Sequence, residues 1–310
     1  MKNAVEMKNV TKTYGKKVIA LNGLSLTIKA GITFSLLGPN GSGKSTTIRI
    51  LTSLAYPDEG EIRIFGQKKL DKHLIGCVSQ SSGVDPMGTG RENLMLQGRI
   101  YGLKGKRLKE RVDELLHAFH LQKDANRLSK NYSGGMKRKL DLAMGIIHRP
   151  KLLFLDEPTT GLDPEARKDL WATIKQLQHT EEMTVILTTH YMEEANELSD
   201  WIAFINDGTV VVEGTAEELK SKVGKDTVTI KCDDEKRAYI ILQASYKTTL
   251  KDNNQLLIMV TEGERKLAEI LEKLKENEIN VSSITVSKPD LGDVYLLYTG
   301  KKLKVAEEKE

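Results

Sequence analysis

The chain has 310 residues, 47 of them Lys or Arg against 43 Asp or Glu, for a formal net charge of +4. That length exceeds one small domain and suits a large domain with a smaller companion. The mixed, mildly basic charge gives no footing for nucleic acid, and none is expected as a partner. Cys77 and Cys232 lie far apart and form no C-x-x-C, which fits a reduced compartment and argues against zinc. No apolar run approaches the ~20 residues needed to span a bilayer, and the first residues, Met1 to Glu6, lack a signal-peptide apolar segment.

Residues 1–80 read as short strands separated by turns at Asn22-Gly23 and Glu59-Gly60, with a helix among them. Inside this stretch, Gly38-Pro39-Asn40-Gly41-Ser42-Gly43-Lys44-Ser45-Thr46 fits the phosphate-cradling pattern G-x-x-x-x-G-K-[ST]. Its glycines let backbone N–H groups converge on a polyphosphate, Lys44 supplies a point charge, and the Ser45 hydroxyl is placed to ligate Mg²⁺. The flanks agree: Ile32 to Leu37 reads as a buried strand and Thr46 to Leu54 as a helix with its N-terminus toward the anion. A plain glycine-rich turn with a surface lysine would not need that context.

Residues 85–148 read as helical: Arg91 to Tyr101, Arg107 to Phe119, and a helix opened by Tyr132-Ser133-Gly134-Gly135-Met136. In the last, Met136, Leu140, Ala143 and Ile147 recur at helical spacing, Ser133 is the expected N-cap, and Gly134 and Gly135 leave first-turn N–H groups open. Lys151 to Glu157 then forms a short apolar strand ending in two carboxylates. Such acids are costly at a buried strand end unless a metal or donor meets them. Asp156 is placed to hold Mg²⁺ through water, and Glu157 to polarise an attacking water. Pro164 to Leu177 follows as a helix with Ala166, Leu170, Ile174 and Leu177 on one face, then a core strand from Thr184 to Thr188 and a hairpin at Asp207-Gly208. Thr215-Ala216-Glu217-Glu218 opens a helix as a capping box, and Gly224-Lys225 marks a linker.

Beyond the linker, strands at Thr227 to Cys232, Thr248 to Leu250, Gln255 to Val260 and Val281 to Val286 alternate with helices at Glu235 to Gln243 and Glu264 to Glu276. Asn253-Asn254 is the expected hairpin turn, and Leu267, Ile270, Leu271 and Leu274 the inward face of the second helix. The βαββαβ order predicts a ferredoxin-like fold. Leu291 to Gly300 reads as a terminal helix, and residues 301–310 as a charged, disordered tail.

In their order along residues 1–220, these elements resemble the ATP-binding cassette (ABC) family. The resemblance implies an α/β fold: a P-loop cassette with a mixed sheet core and a helical subdomain near 85–148, all within 1–224, followed by an accessory α/β domain at 225–300. It implies ATP and Mg²⁺ as cofactors. It makes Gln80 the loop glutamine that senses Mg²⁺ and faces the membrane partner, Ser133-Gly134-Gly135 the signature, Asp163 of Gly161-Leu162-Asp163 part of the D-loop, and His190 the switch histidine near the γ-phosphate. Tyr14, in Thr13-Tyr14-Gly15, stands where an aromatic residue stacks on adenine. Each has a duller reading: an exposed turn tyrosine, a polar strand end, a helix cap before Pro164, a satisfied strand-end histidine. Their joint order favours the family.

A finer resemblance, carried by Tyr132-Ser133-Gly134-Gly135-Met136-Lys137-Arg138-Lys139, Glu157-Pro158-Thr159-Thr160-Gly161-Leu162-Asp163-Pro164 and Thr188-Thr189-His190-Tyr191-Met192, is to the ATPase subunits of daunorubicin-type exporters. It implies an ATPase that drives export of a drug-like or lipid-like molecule through a transmembrane permease subunit. The chain would then be cytoplasmic and peripheral at the inner face of the cell membrane, and would close as a head-to-tail homodimer with ATP between one subunit's phosphate loop and the other's signature. The alternatives are a soluble ABC ATPase acting on ribosomes or DNA, and a P-loop kinase or other transferase. The first is opposed by the single cassette without a basic run, the second by the signature and by Glu157.

Overall fold

The computed structural model describes residues 2–15, 18–224, 226–251 and 255–300. The expected turn at Asn253-Asn254, the linker residue Lys225 and the tail 301–310 lie outside the described residues. The chain divides into two compact units at Ala216/Glu217, ahead of the linker expected at 224.

In the first unit the order is β1 (Asn3–Tyr14), β2 (Val18–Lys29), β3 (Thr33–Leu37), α1 (Lys44–Leu51), β4 (Glu59–Ile64), β5 (Ile75–Val78), α2 (Gly90–Ile100), α3 (Gly105–Ala118), α4 (Gly134–Gly145), β6 (Leu152–Asp156), α5 (Pro164–Thr180), β7 (Thr184–Thr189), α6 (Met192–Leu198), β8 (Trp201–Asn206) and β9 (Thr209–Gly214). A six-stranded sheet runs β5-β6-β7-β3-β8-β9. Its neighbours pair in parallel except for the antiparallel β8–β9 hairpin. Strands β3 and β7 are buried at every position, as expected where both faces of a parallel sheet are covered. The period of two then sorts side chains between two cores. Leu152, Phe154 and Ile186 face a core built with β1, β2 and α1. Leu153, Leu155, Val185 and Leu187 face the other, built with α2 to α5.

Two expected turns are strand interiors. Asn22-Gly23 lies within β2, where Val10 pairs with Leu24 and Lys12 with Leu21, so β2 carries an extra residue there. Glu59-Gly60 lies within β4, and the extra residue opposite is Asn9 of β1, between the pairs Lys8–Glu61 and Thr11–Glu59. Both sites are bulges of a long bent antiparallel sheet, order β2-β1-β4. Glycine spacing alone does not separate a bulge from a turn.

The helix α4 approaches the sheet closely. A Cβ on Gly76 of β5 would overlap the Gly145 carbonyl oxygen at the end of α4. Gly76→Ala is therefore expected to destabilise the protein by about 1–3 kcal/mol, because backbone on backbone cannot yield as a side chain can. A lower urea midpoint with an unchanged slope is the measurement that checks it.

The second unit follows with α7 (Ala216–Val223), β10 (Asp226–Cys232), α8 (Glu235–Gln243), β11 (Lys247–Lys251), β12 (Gln255–Val260), α9 (Gly263–Glu276), β13 (Val281–Ser287) and α10 (Leu291–Thr299). Its antiparallel sheet has the order β11-β12-β10-β13, the βαββαβ arrangement expected of a ferredoxin-like fold. Val228, Ile230, Leu256 and Ile258 meet Ala238, Leu242, Ile270 and Leu274 in its core. Leu271, expected on the inward face of α9, is only half-buried. Among the described residues no helix is long and apolar enough to cross a membrane.

Candidate functional site: a phosphate loop facing paired carboxylates

Four neighbouring parallel strands, β5, β6, β7 and β3, end on one edge of the sheet. Ligands of open α/β sheets bind outside these carboxyl ends. From β3 the chain enters residues 38–43 and then α1. Gly43, the N-cap of α1, sits at φ 109° and offers no side-chain cap. The first N–H groups of α1 therefore stay available to an anion, and the left-handed backbone favours glycine.

Lys44 is held rather than waving free. Its Nζ donates to the Gly38 and Pro39 carbonyls at 2.9 and 3.0 Å, and Glu157 Oε1 lies 3.6 Å away. Burial pulls its pKa down, and the Glu157 carboxylate pulls it back. Gly38 and Pro39 thus act through their carbonyls, and the Ser42 hydroxyl is buried without a hydrogen-bond partner.

Asp156, at the end of β6, accepts on Oδ1 from Thr188 Oγ1 at 2.6 Å and from Ser45 Oγ at 3.1 Å. A hydroxyl and a carboxylate side by side are hard oxygen donors of the kind Mg²⁺ uses when phosphates complete its shell. The residues present fit that ion. Glu157 follows with φ 47°, a left-handed conformation rare for a residue with a side chain and one that marks strain stored at functional sites. Its Oε2 accepts from Gln80 Nε2 and Thr160 Oγ1, each at 3.2 Å. His190 Nδ1, just past β7, is buried and lies 3.4 Å from Oε1. His190 pulls the Glu157 carboxyl below its ordinary value, with Lys44 adding to the effect and burial opposing it.

Above these groups lies a cavity of about 400 Å³ lined by Tyr14, Val18, Ala20, Asn40, Gly41, Gly43, Lys44, Ser45, Thr46, Gln80 and Glu157. Tyr14, at the end of β1, is exposed there. The structure thus gathers the phosphate loop, Gln80, Asp156, Glu157 and His190. It does not bring Ser133, Gly134, Gly135 or Asp163 to that cavity. Ser133 is exposed and caps α4 by accepting from the Met136 N–H at 3.2 Å. A Cβ on Gly135 would meet Ala166 of α5, and Asp163 caps α5 through the Ala166 N–H at 2.8 Å. The sequence pattern does not single out Thr188, which donates to Asp156, or Thr160, which donates to Glu157. Paired threonines in an otherwise apolar strand were the available signal for Thr188; none marked Thr160.

Residues 21–160 match the ABC transporter family, and residues 214–299 match the C-terminal domain of DrrA1-3-like ATP-binding proteins. Daunorubicin resistance ATP-binding protein DrrA3 of Streptomyces coeruleorubidus is 37% identical over 98% of both chains. Linearmycin resistance ATP-binding protein LnrL of Bacillus subtilis is 36% identical over 97% of this chain and 99% of its own. Nod factor export ATP-binding protein I of Sinorhizobium fredii is 36% identical over 97% of this chain and 87% of its own. Among solved structures, a dimeric ATP-binding cassette in a post-hydrolysis state with ADP and phosphate is 32% identical, with a TM-score of 0.62, over 68% of this chain and 98% of its own. With the phosphate loop and its carboxylates in one place and both units matched, this chain belongs to the ABC transporter family, as an ATP-binding, ATP-hydrolysing cassette followed by a DrrA-like C-terminal domain.

Proposed function

We propose that this chain powers a membrane exporter of drug-like or lipid-like molecules, attached to the inner face of the cell membrane through a separate transmembrane permease subunit. The observation that carries the ATPase chemistry is the Glu157 carboxylate set among Lys44, Gln80 and His190 at the mouth of the phosphate loop. Export rests on relatives named for daunorubicin and linearmycin resistance and Nod factor export, matched along nearly the whole chain.

Phosphoryl transfer to water is positioning plus electrostatics. The loop N–H groups and Lys44 hold the β- and γ-phosphates, and Tyr14 stacks on the adenine. Ser45, Asp156 and Gln80 would hold Mg²⁺, which supplies charge neutralisation at the phosphate oxygens. Glu157 orients and polarises the attacking water, and His190 donates toward the γ-phosphate. Ser133, Gly134, Gly135 and Asp163 lie away from this cavity, which supports their serving the site of a second copy in an ATP-sandwich homodimer. We read the organisation as a cassette followed by an accessory domain, the second compact unit beginning at Glu217 rather than at the linker expected at 224.

Cell fractionation tests the membrane half. The chain is expected in the membrane fraction and to be released by alkaline carbonate, as a peripheral subunit is. A pool found wholly in the soluble fraction would count against the permease partner.

A further inference from the structure

We propose that Arg138, on the helix that carries the signature, is a positioning residue for ATP hydrolysis that sets the spacing between Gln80 and Glu157. This rests on the ATPase reading above. Arg138 is 8% exposed on α4, just past its first turn. Its Nε donates to the Pro158 carbonyl at 2.7 Å, one amino nitrogen to the Ser79 carbonyl at 2.6 Å, and the other to the Asp156 carbonyl at 3.3 Å. One guanidinium therefore grips the backbone on both sides of Glu157 and immediately before Gln80.

The same helix holds the far side of the glutamine loop. Asp141, three positions on and buried, accepts the Gly83 N–H at 2.9 Å on Oδ1. Ser79 and Gly83 are thus anchored to one face of α4, with Gln80 between them. Across the gap, Gln80 Nε2 reaches Glu157 Oε2 at 3.2 Å. The φ of 47° at Glu157 needs surroundings that over-determine it, and the grip on Asp156 and Pro158 supplies that constraint. The rigid planar fork of arginine suits the four carbonyls of Ser79, Asp156, Glu157 and Pro158, where the single ammonium of lysine reaches fewer. A displacement of α4 would then reach both Gln80 and Glu157 through one side chain.

The test uses the full chain and compares wild type, Arg138→Gln, Arg138→Lys, Gln80→Ala and the Gln80→Ala/Arg138→Gln double variant. Arg138→Gln is expected to lower kcat by about 10- to 100-fold while the Kd for a fluorescent ATP analogue moves less than about threefold. Arg138→Lys should fall between the two. The double variant should lose little more than the worse single one, since both act on one contact. Should Arg138→Gln fail to fold, Arg138→Lys keeps the charge and stem and is read by the same kcat-against-Kd split. A kcat within about twofold of wild type, a Kd that rises in step with the loss of kcat, or additive losses in the double variant would each overturn the assignment. A wild-type chain that hydrolyses no ATP would remove the ATPase reading and this inference together, whereas an active wild type with active Arg138 variants removes the inference alone.

Discussion

Glu157→Gln is expected to leave ATP binding intact and to lower turnover by roughly 100- to 10,000-fold. The amide keeps the volume of the side chain and can still meet Gln80 and Thr160, now 3.2 Å from Oε2. What it loses is the negative charge that Lys44 and His190 face at 3.6 and 3.4 Å. ATP affinity by fluorescent-analogue titration and phosphate release under saturating ATP separate the two effects. Turnover near wild type would take Glu157 out of the reaction. The folded protein holds this carboxyl below its ordinary value of 4.5, with His190 as the first cause. The group's contribution to stability is therefore complete above 4.5 and is lost as the pH falls through the lowered value. Glu157→Gln removes that contribution, so the stability difference between variant and wild type should change across the acid side of 4.5 and be level above it.

Lys44→Ala should instead raise the Kd for ATP by about two orders of magnitude, since each hydrogen bond to a charged group is worth ~1.5–3 kcal/mol. The ammonium is 4% exposed and is preset by the Gly38 and Pro39 carbonyls, so little ordering remains to be done on binding. Ser133→Arg offers the contrast. Ser133 is exposed and away from the phosphate-loop cavity, so that variant should bind ATP almost normally yet fail to hydrolyse it if the signature completes a second copy's site. Mixing the two inactive variants should restore partial hydrolysis, because one composite site of the heterodimer then carries neither defect. No recovery on mixing, with both proteins folded, would speak against the sandwich.

Periodicity made most elements readable. Helix α8 spans Glu235–Gln243 and strand β12 spans Gln255–Val260, where the spacing of their own apolar residues placed them. The phosphate loop and the Asp156-Glu157 pair were equally legible, because each is a run of adjacent residues whose chemistry is local. Features made between distant segments were not. Arg138 reads as one cation in the run Lys137-Arg138-Lys139, and only the packing of α4 against the sheet turns it toward Ser79 and Pro158. Thr188 acquires its role by lying beside Asp156 in the β6–β7 pairing. Gly60 reads as a turn until Asn9 is found opposite it. Local spacing determined which elements form and where the phosphate-loop pattern and the paired carboxylates fall. The strand order β5-β6-β7-β3 decided which strand ends stand together, because contacts between residues far apart in the chain are set by topology and close packing, which no short window of sequence contains.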